Sequence, residues 1–151
     1  MPSARRQLLG LAATALTSFA APARAAATDA RPRLVVWKDP SCGCCNGWIA
    51  HVRTAGFEVT ARDTPAMDGI KQARGVPAAL RSCHTAVVDG YVLEGHVPAE
   101  DIRRLLTERP AAQGLAVPGM PASAPGMGPP GEPFDVVLFG TPDGERVFAR
   151  H

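Results

Sequence analysis

Leu34-Val-Val-Trp-Lys-Asp-Pro-Ser-Cys-Gly-Cys-Cys45 is the stretch from which the fold is read. Leu34 to Lys38 is an apolar, β-branched run of strand length, and Asp39-Pro40-Ser41 closes it with turn residues. From Asn46 onward, Trp48, Ile49, Val52 and Ala55 recur at helical spacing, and Gly56 supplies a C-terminal stop. A strand therefore runs into a loop of cysteines that opens a helix. Phe57 to Asp63 then alternates Phe57, Val59 and Ala61 against Glu58, Thr60 and Arg62, the period of a half-buried strand, and Met67 to Arg74 reads as a short helix ended by Gly75 and Pro77.

Further on, Thr85-Ala-Val-Val88 and Tyr91-Val-Leu-Glu94 flank Asp89-Gly90, a strong signal for a two-residue hairpin. Counting outward from the turn sets Val88 opposite Tyr91, Thr85 opposite Glu94 and, where pairing continues, Cys83 opposite His96. After Pro98, the stripe Ile102, Leu105, Leu106 with Glu100 and Asp101 in the first turn predicts an amphipathic helix. Residues 110–133 are rich in Pro, Gly, Ala and Met, a composition that argues against regular structure. Phe134–Phe139, Asp143-Gly144 and Arg146–Phe148 read as a second hairpin. The order βαβαββα with an appended hairpin predicts an α/β protein, an α+β two-layer sandwich whose core domain spans 34–109, followed by a 110–133 loop and a 134–151 hairpin.

The whole chain has 151 residues, 46% of them hydrophobic and 20% charged, the length of a single globular domain. Arg5 and Arg6 precede an apolar run from Leu8 to Ala21 that ends in Ala23-Arg24-Ala25, the pattern of a secretory signal peptide over 1–25, followed by a leader over 26–33. The Arg5-Arg6-Gln7-Leu8-Leu9 core also matches a twin-arginine signal loosely. The formal charge of +2 drops to −1 once Arg5, Arg6 and Arg24 leave with the signal, giving 13 basic against 14 acidic residues. No basic run remains to bind nucleic acid or anionic lipid, and no second apolar stretch is long enough to span a bilayer. The expected location is a periplasm, where disulfides are chemically permitted.

Cys42-Gly-Cys44-Cys45 overlaps two spacings. Cys42 with Cys45 is a C-x-x-C pair at a helix start, the arrangement of a thiol-disulfide oxidoreductase, because a helix N-terminus favours thiolate. The same thiolates are soft ligands that select Cu(I), zinc or iron-sulfur clusters. Cys83, in Ser82-Cys-His-Thr85, is the fourth cysteine, and the hairpin register brings His96 to it, with His84 available if Cys83 lies outside a regular strand. Met120 and Met127, in the repeated Pro-Gly-Met of the loop, offer thioethers for Cu(I). Of the remaining candidates, Met67 reads as core, His51 as surface, His151 as a frayed terminus, Asp39 as turn chemistry, Lys38 as a cation that could help hold thiolates charged, and Trp37 and Trp48 as packing that aims the cysteine loop.

Leu34–Cys45, Ser82-Cys-His-Thr-Ala-Val-Val-Asp-Gly-Tyr-Val-Leu-Glu-Gly-His-Val-Pro98 and Gly114-Leu-Ala-Val-Pro-Gly-Met-Pro121 together resemble the CopG-type family of periplasmic copper-resistance proteins. The resemblance implies a thioredoxin-like fold and a copper site formed by Cys42, Cys44, Cys45, Cys83 and His84. It departs from ordinary thioredoxins in placing Ser82-Cys83-His84 where a cis-proline is usual, which favours a metal cluster over simple disulfide exchange. The functions carried forward are therefore copper binding, as Cu(I) and with more than one ion, for sequestration, handover to envelope donor or acceptor proteins, or redox conversion; thiol-disulfide exchange by Cys42 and Cys45; and a module held by structural disulfides.

Overall fold

The computed structural model describes residues 31–151. The signal peptide expected over 1–25 and most of the 26–33 leader lie outside the described residues.

The chain runs through β1 (Arg33–Lys38), α1 (Gly43–Thr54), β2 (Glu58–Asp63), α2 (Met67–Ala73), a 3-10 turn (Ala78–Leu80), β3 (His84–Val88), β4 (Tyr91–Glu94) and α3 (Ala99–Glu108). This is the βαβαββα order read from the sequence. β5 (Gly114–Ala116), β6 (Asp135–Phe139) and β7 (Arg146–Arg150) then complete a seven-stranded mixed sheet in the order β2-β1-β3-β4-β5-β6-β7. The fold is α/β. β1 pairs parallel with β2 and antiparallel with β3, and β4 pairs antiparallel with β3 and parallel with β5. The Asp89-Gly90 hairpin has the register counted from its turn, Val88 opposite Tyr91 and Thr85 opposite Glu94.

Alternation along the strands sorts the core into two clusters. Leu34, Val36, Ala86, Val88, Leu93, Leu115 and Leu138 face α1 and α3, where Trp48, Ile49, Val52, Ile102 and Leu105 cover them. Val92, Ala116 and Phe139 point to the other face and pack with Val76 and Leu80, from the segment that follows α2.

One expectation about the 110–133 segment fails. Gly114-Leu-Ala116 forms β5, pairing with Val92–Glu94 on one side and Val137–Phe139 on the other. Three residues are too few for periodicity to reveal a strand. This one exists because it joins the C-terminal hairpin to the central sheet and buries Leu115 in one cluster and Ala116 in the other. Met67 is half-buried rather than core, on a short helix whose only fully buried residue is Lys71.

His51 is a further correction, because it is half-buried against α3 rather than free on the surface. Its Nε2 accepts the backbone N–H of Ala99 at 3.1 Å, satisfying one of the amide groups left open at the start of α3. His151 is another. It pairs its backbone with Phe134, stacks on the Phe134 ring and places Nε2 2.7 Å from Asp101 Oδ2, so the last residue is anchored rather than frayed.

Candidate metal centre

The topology brings four connections to one end of the sheet. β1 ends there, the antiparallel β3 begins there, β4 ends there, and β5, parallel to β4, ends there too. The segments that leave these strand ends carry Cys42–Cys45, Cys83-His84, His96 and the loop containing Met120 and Met127.

The first segment is shaped by Asp39, whose carboxylate accepts Ser41 N–H at 2.8 Å and Ser41 O–H at 2.5 Å, turn chemistry that also lowers its pKa. Cys42 N–H then donates to the Asp39 carbonyl, and α1 begins at the next residue. The cysteines therefore sit at the open amide groups of a helix N-terminus, where negative charge is favoured. The Lys38 ammonium pairs with Asp63 at 2.8 Å and donates to the Asp39 carbonyl at 3.3 Å, bracing this loop from below.

Cys42 and Cys45 are joined as a disulfide, while Cys44 and Cys83 are free thiols. Cys42 Sγ and Cys44 Sγ lie 3.5 Å apart. All four sulfur atoms fall within 4.8 Å of one another, and a second group at the same spacing consists of Cys83, His84 and His96, so Cys83 belongs to both.

Cys83 lies just outside β3, which begins at His84, and this frees both side chains to face inward. Gly95 makes the matching bend after β4. Its φ of +70° suits glycine, and a Cβ there would run into the Ser82 side chain and the Val117 carbonyl. The bend delivers His96 Nε2 to 3.1 Å from Cys83 Sγ, with His84 Nδ1 at 3.2 Å.

Hydrogen bonding assigns the protons. His96 Nδ1 lies 2.7 Å from the Pro125 carbonyl, which can only accept, so Nδ1 carries the hydrogen and Nε2 presents a lone pair to Cys83. The Cys83 S–H donates to that lone pair. His84 Nδ1–H in turn donates to the sulfur, leaving His84 Nε2 buried without a partner among the described residues. Burial, reinforced by the Cys44 sulfur, pushes the Cys83 thiol up to about 12. Burial holds His84 well below its ordinary value, with His96 and Lys71 adding to the effect, and burial also lowers His96. The site thus holds a neutral thiol between two neutral imidazoles, and a metal bound by Cys83 would have to displace its proton.

Trp48 supports this arrangement as anticipated. It is fully buried, its indole N–H donates to the Val97 carbonyl at 2.8 Å, and its ring lies 4.4 Å from that of His84. Trp37 sits instead between Arg74 and Arg62, at 4.7 and 5.8 Å. Met120 is exposed on the turn that follows β5, and Met127 packs half-buried against the main core.

Two chains of solved structures bear on the family. A structure titled Copper resistance protein copG, form 2, is 42% identical, with a TM-score of 0.75, covering 81% of this chain and 99% of its own. The chain belongs to the CopG-type copper-resistance family. Form 1 of the same protein matches at 42% identity with a TM-score of 0.74, covering 81% of this chain and 98% of its own. A family model described as a protein of unknown function, DUF411, matches residues 80–127. That span holds Cys83, His84, His96 and both loop methionines of this CopG-type chain, but not the Cys42–Cys45 group. No curated protein matches the chain.

The buried ion pair between Lys71 and Glu94, whose carboxylate accepts the Ser82 backbone N–H, escaped the sequence reading. Glu94 occupies an alternating position of an ordinary strand and Lys71 a short helix, and only the Thr85-Glu94 register hinted that a carboxylate would sit beside the Cys-His pair.

Proposed function

We propose that this chain is a copper-binding protein of the cell envelope that holds Cu(I) through Cys42, Cys44, Cys45 and Cys83, with His84 and His96 completing the side nearest Cys83. The convergence of four cysteine sulfurs from two distant segments within 4.8 Å carries this reading. Soft thiolates select Cu(I), and several packed thiolates repel unless several monovalent cations lie between them, which favours more than one ion. Membership of a copper-resistance family supports the choice of metal.

The closed Cys42–Cys45 pair ties loading to redox state. Reducing that disulfide takes two electrons and two protons and yields the two missing thiols. In the opposite direction, two thiols closing to a disulfide release two electrons and two protons, and two Cu(II) ions accept the electrons to become Cu(I). Sequestration, handover to other envelope proteins and redox conversion all draw on this chemistry. The exposed Met120 thioether suits transient capture at the rim, and Met127 is a weaker candidate because it packs against the core. The arginine-led N-terminal segment supports export to the periplasm, and the order β1-α1-β2-α2-β3-β4-α3 supports reading the scaffold as thioredoxin-like. Among the described residues, no helix is long and apolar enough to cross a membrane.

The test is anaerobic Cu(I) titration of the reduced protein with native mass spectrometry. More than one copper per chain, reduced by Cys44→Ser and Cys83→Ser, supports the reading, and no uptake by fully reduced protein refutes it. A second reading, thiol-disulfide exchange, is favoured by the closed Cys42–Cys45 pair at the start of a helix. It requires reduction of a disulfide substrate in metal-free buffer, lost in Cys42→Ser.

A further inference from the structure

Glu94 is fully buried, and its carboxylate collects three donors, from α2, from the loop before β3 and from β3 itself. Oε1 accepts Lys71 Nζ at 2.6 Å and the Ser82 backbone N–H at 2.6 Å, and Oε2 accepts the Thr85 hydroxyl at 2.6 Å. Lys71 is itself buried and reaches Thr85 Oγ1 at 3.1 Å. A buried ion pair is weak evidence of stabilisation, since apolar residues of similar volume often serve as well. The placement of the donors is more informative. Ser82 immediately precedes Cys83 and Thr85 immediately follows His84, so one carboxylate grips the chain on both sides of the Cys83-His84 pair.

The β3–β4 ladder alone does not supply that grip. Regular pairing ends at Thr85 opposite Glu94, and beyond it the backbone contact is Gly95 N–H donating to the His84 carbonyl at 2.9 Å. Ser82 and Cys83 lie past the strand, where a side-chain acceptor must take the place of the ladder. Lys71 neutralises the carboxylate that does so.

We propose that Glu94, with Lys71 as its counter-ion, is the positioning residue for Cys83 and His84, holding the Cys-His pair against His96 and the Cys42–Cys45 loop. The copper part of its test rests on the function proposed above, and the remainder does not. Partners that orient metal ligands typically contribute about 10–100-fold in metal affinity.

Glu94→Gln alone strands the Lys71 charge, so the main variant is Lys71→Met with Glu94→Gln, accompanied by Thr85→Val, which removes one donor and keeps the shape. Each is compared with wild type for cooperative thermal unfolding, for the alkylation rate of Cys83 in a Cys44→Ser background with the Cys42–Cys45 disulfide closed, and for Cu(I) affinity after reduction. Expected is a cooperative melt, Cys83 alkylation about tenfold faster in the double variant, and Cu(I) affinity weakened within the range above, with Thr85→Val moving the same way by less. A folded double variant with wild-type alkylation and wild-type affinity overturns the proposal. If the double variant fails to melt cooperatively, Thr85→Val decides by the same two measurements. If wild type takes up no copper, the proposed function fails, and the alkylation rates still decide the role of Glu94.

Discussion

The Pro125 carbonyl lies 2.7 Å from His96 Nδ1, and the next residue, Gly126, is pressed against the backbone of Gly47 and Trp48 in α1. The Pro/Gly/Met-rich segment is thereby pinned to the helix that carries the cysteines, at the point where it fixes the His96 tautomer. Gly126 has a φ of +82°, and a Cβ there would collide with the Gly47 and Trp48 backbone.

Gly126→Ala should therefore lift this segment off α1. A non-glycine residue forced to positive φ costs on the order of 1–3 kcal/mol, before any clash is counted. The expected result is a lower melting temperature together with faster modification of His96 by diethyl pyrocarbonate. A variant that melts and reacts like wild type would show that the contact does not hold the loop.

Acidification should weaken the metal-free fold. His51, His84 and His96 all have folded-state values below that of an unfolded histidine, in each case chiefly through burial. A depressed histidine contributes its full share of stability above the unfolded value near 6.5, and that share is lost as pH falls through the folded value. Denaturant midpoints should hold steady above about pH 7 and decline below about 6.5. His51→Gln keeps an acceptor for Ala99 N–H while removing one titration, so its midpoint should decline less. An identical decline in wild type and variant would exclude His51 from the effect.

What the sequence disclosed and what it withheld divide along physical lines. The Asp89-Gly90 turn set the hairpin register, because φ values of 46° and 88° at its two central residues are what an Asp-Gly pair tolerates. That register in turn predicted the meeting of Cys83 with His96, found at 3.1 Å. Strand β5 and the Lys71-Glu94 pair were not legible, since each is defined by partners from other segments and has no periodic trace of its own. His51 was misplaced for a related reason. A helical face turned away from the cysteines looked like solvent, but α3 begins against it.

Copper should report its own position through tryptophan emission. Trp48 lies 4.4 Å from His84, whereas Trp37 is held between Arg62 and Arg74 on β1. In Trp37→Phe the remaining Trp48 signal should be strongly quenched on copper loading, and in Trp48→Phe the remaining Trp37 signal should change little. Equal quenching in the two variants would place the metal away from the Cys83-His84-His96 group. Trp48→Phe also leaves the Val97 carbonyl without its indole donor, at a cost of about 1–3 kcal/mol, so its stability is measured alongside.

Thiol counting connects the disulfide to metal capacity. With Cys42–Cys45 closed, the free thiols are Cys44 and Cys83, so titration under denaturing conditions should find two per chain before reduction and four after. Copper uptake should rise with that count, because a disulfide withholds two of the four cysteines proposed as thiolate ligands. Cys83→Ser should weaken uptake in both redox states, since Cys83 is shared by the sulfur group and the histidine group. Cys45→Ser should lower uptake by the reduced protein, which falls from four thiols to three, and raise uptake by the oxidised protein, because losing the disulfide frees Cys42 as a third thiol. If oxidised and reduced protein bind equal amounts of copper, Cys42 and Cys45 are not ligands and the centre reduces to Cys44, Cys83 and the two histidines.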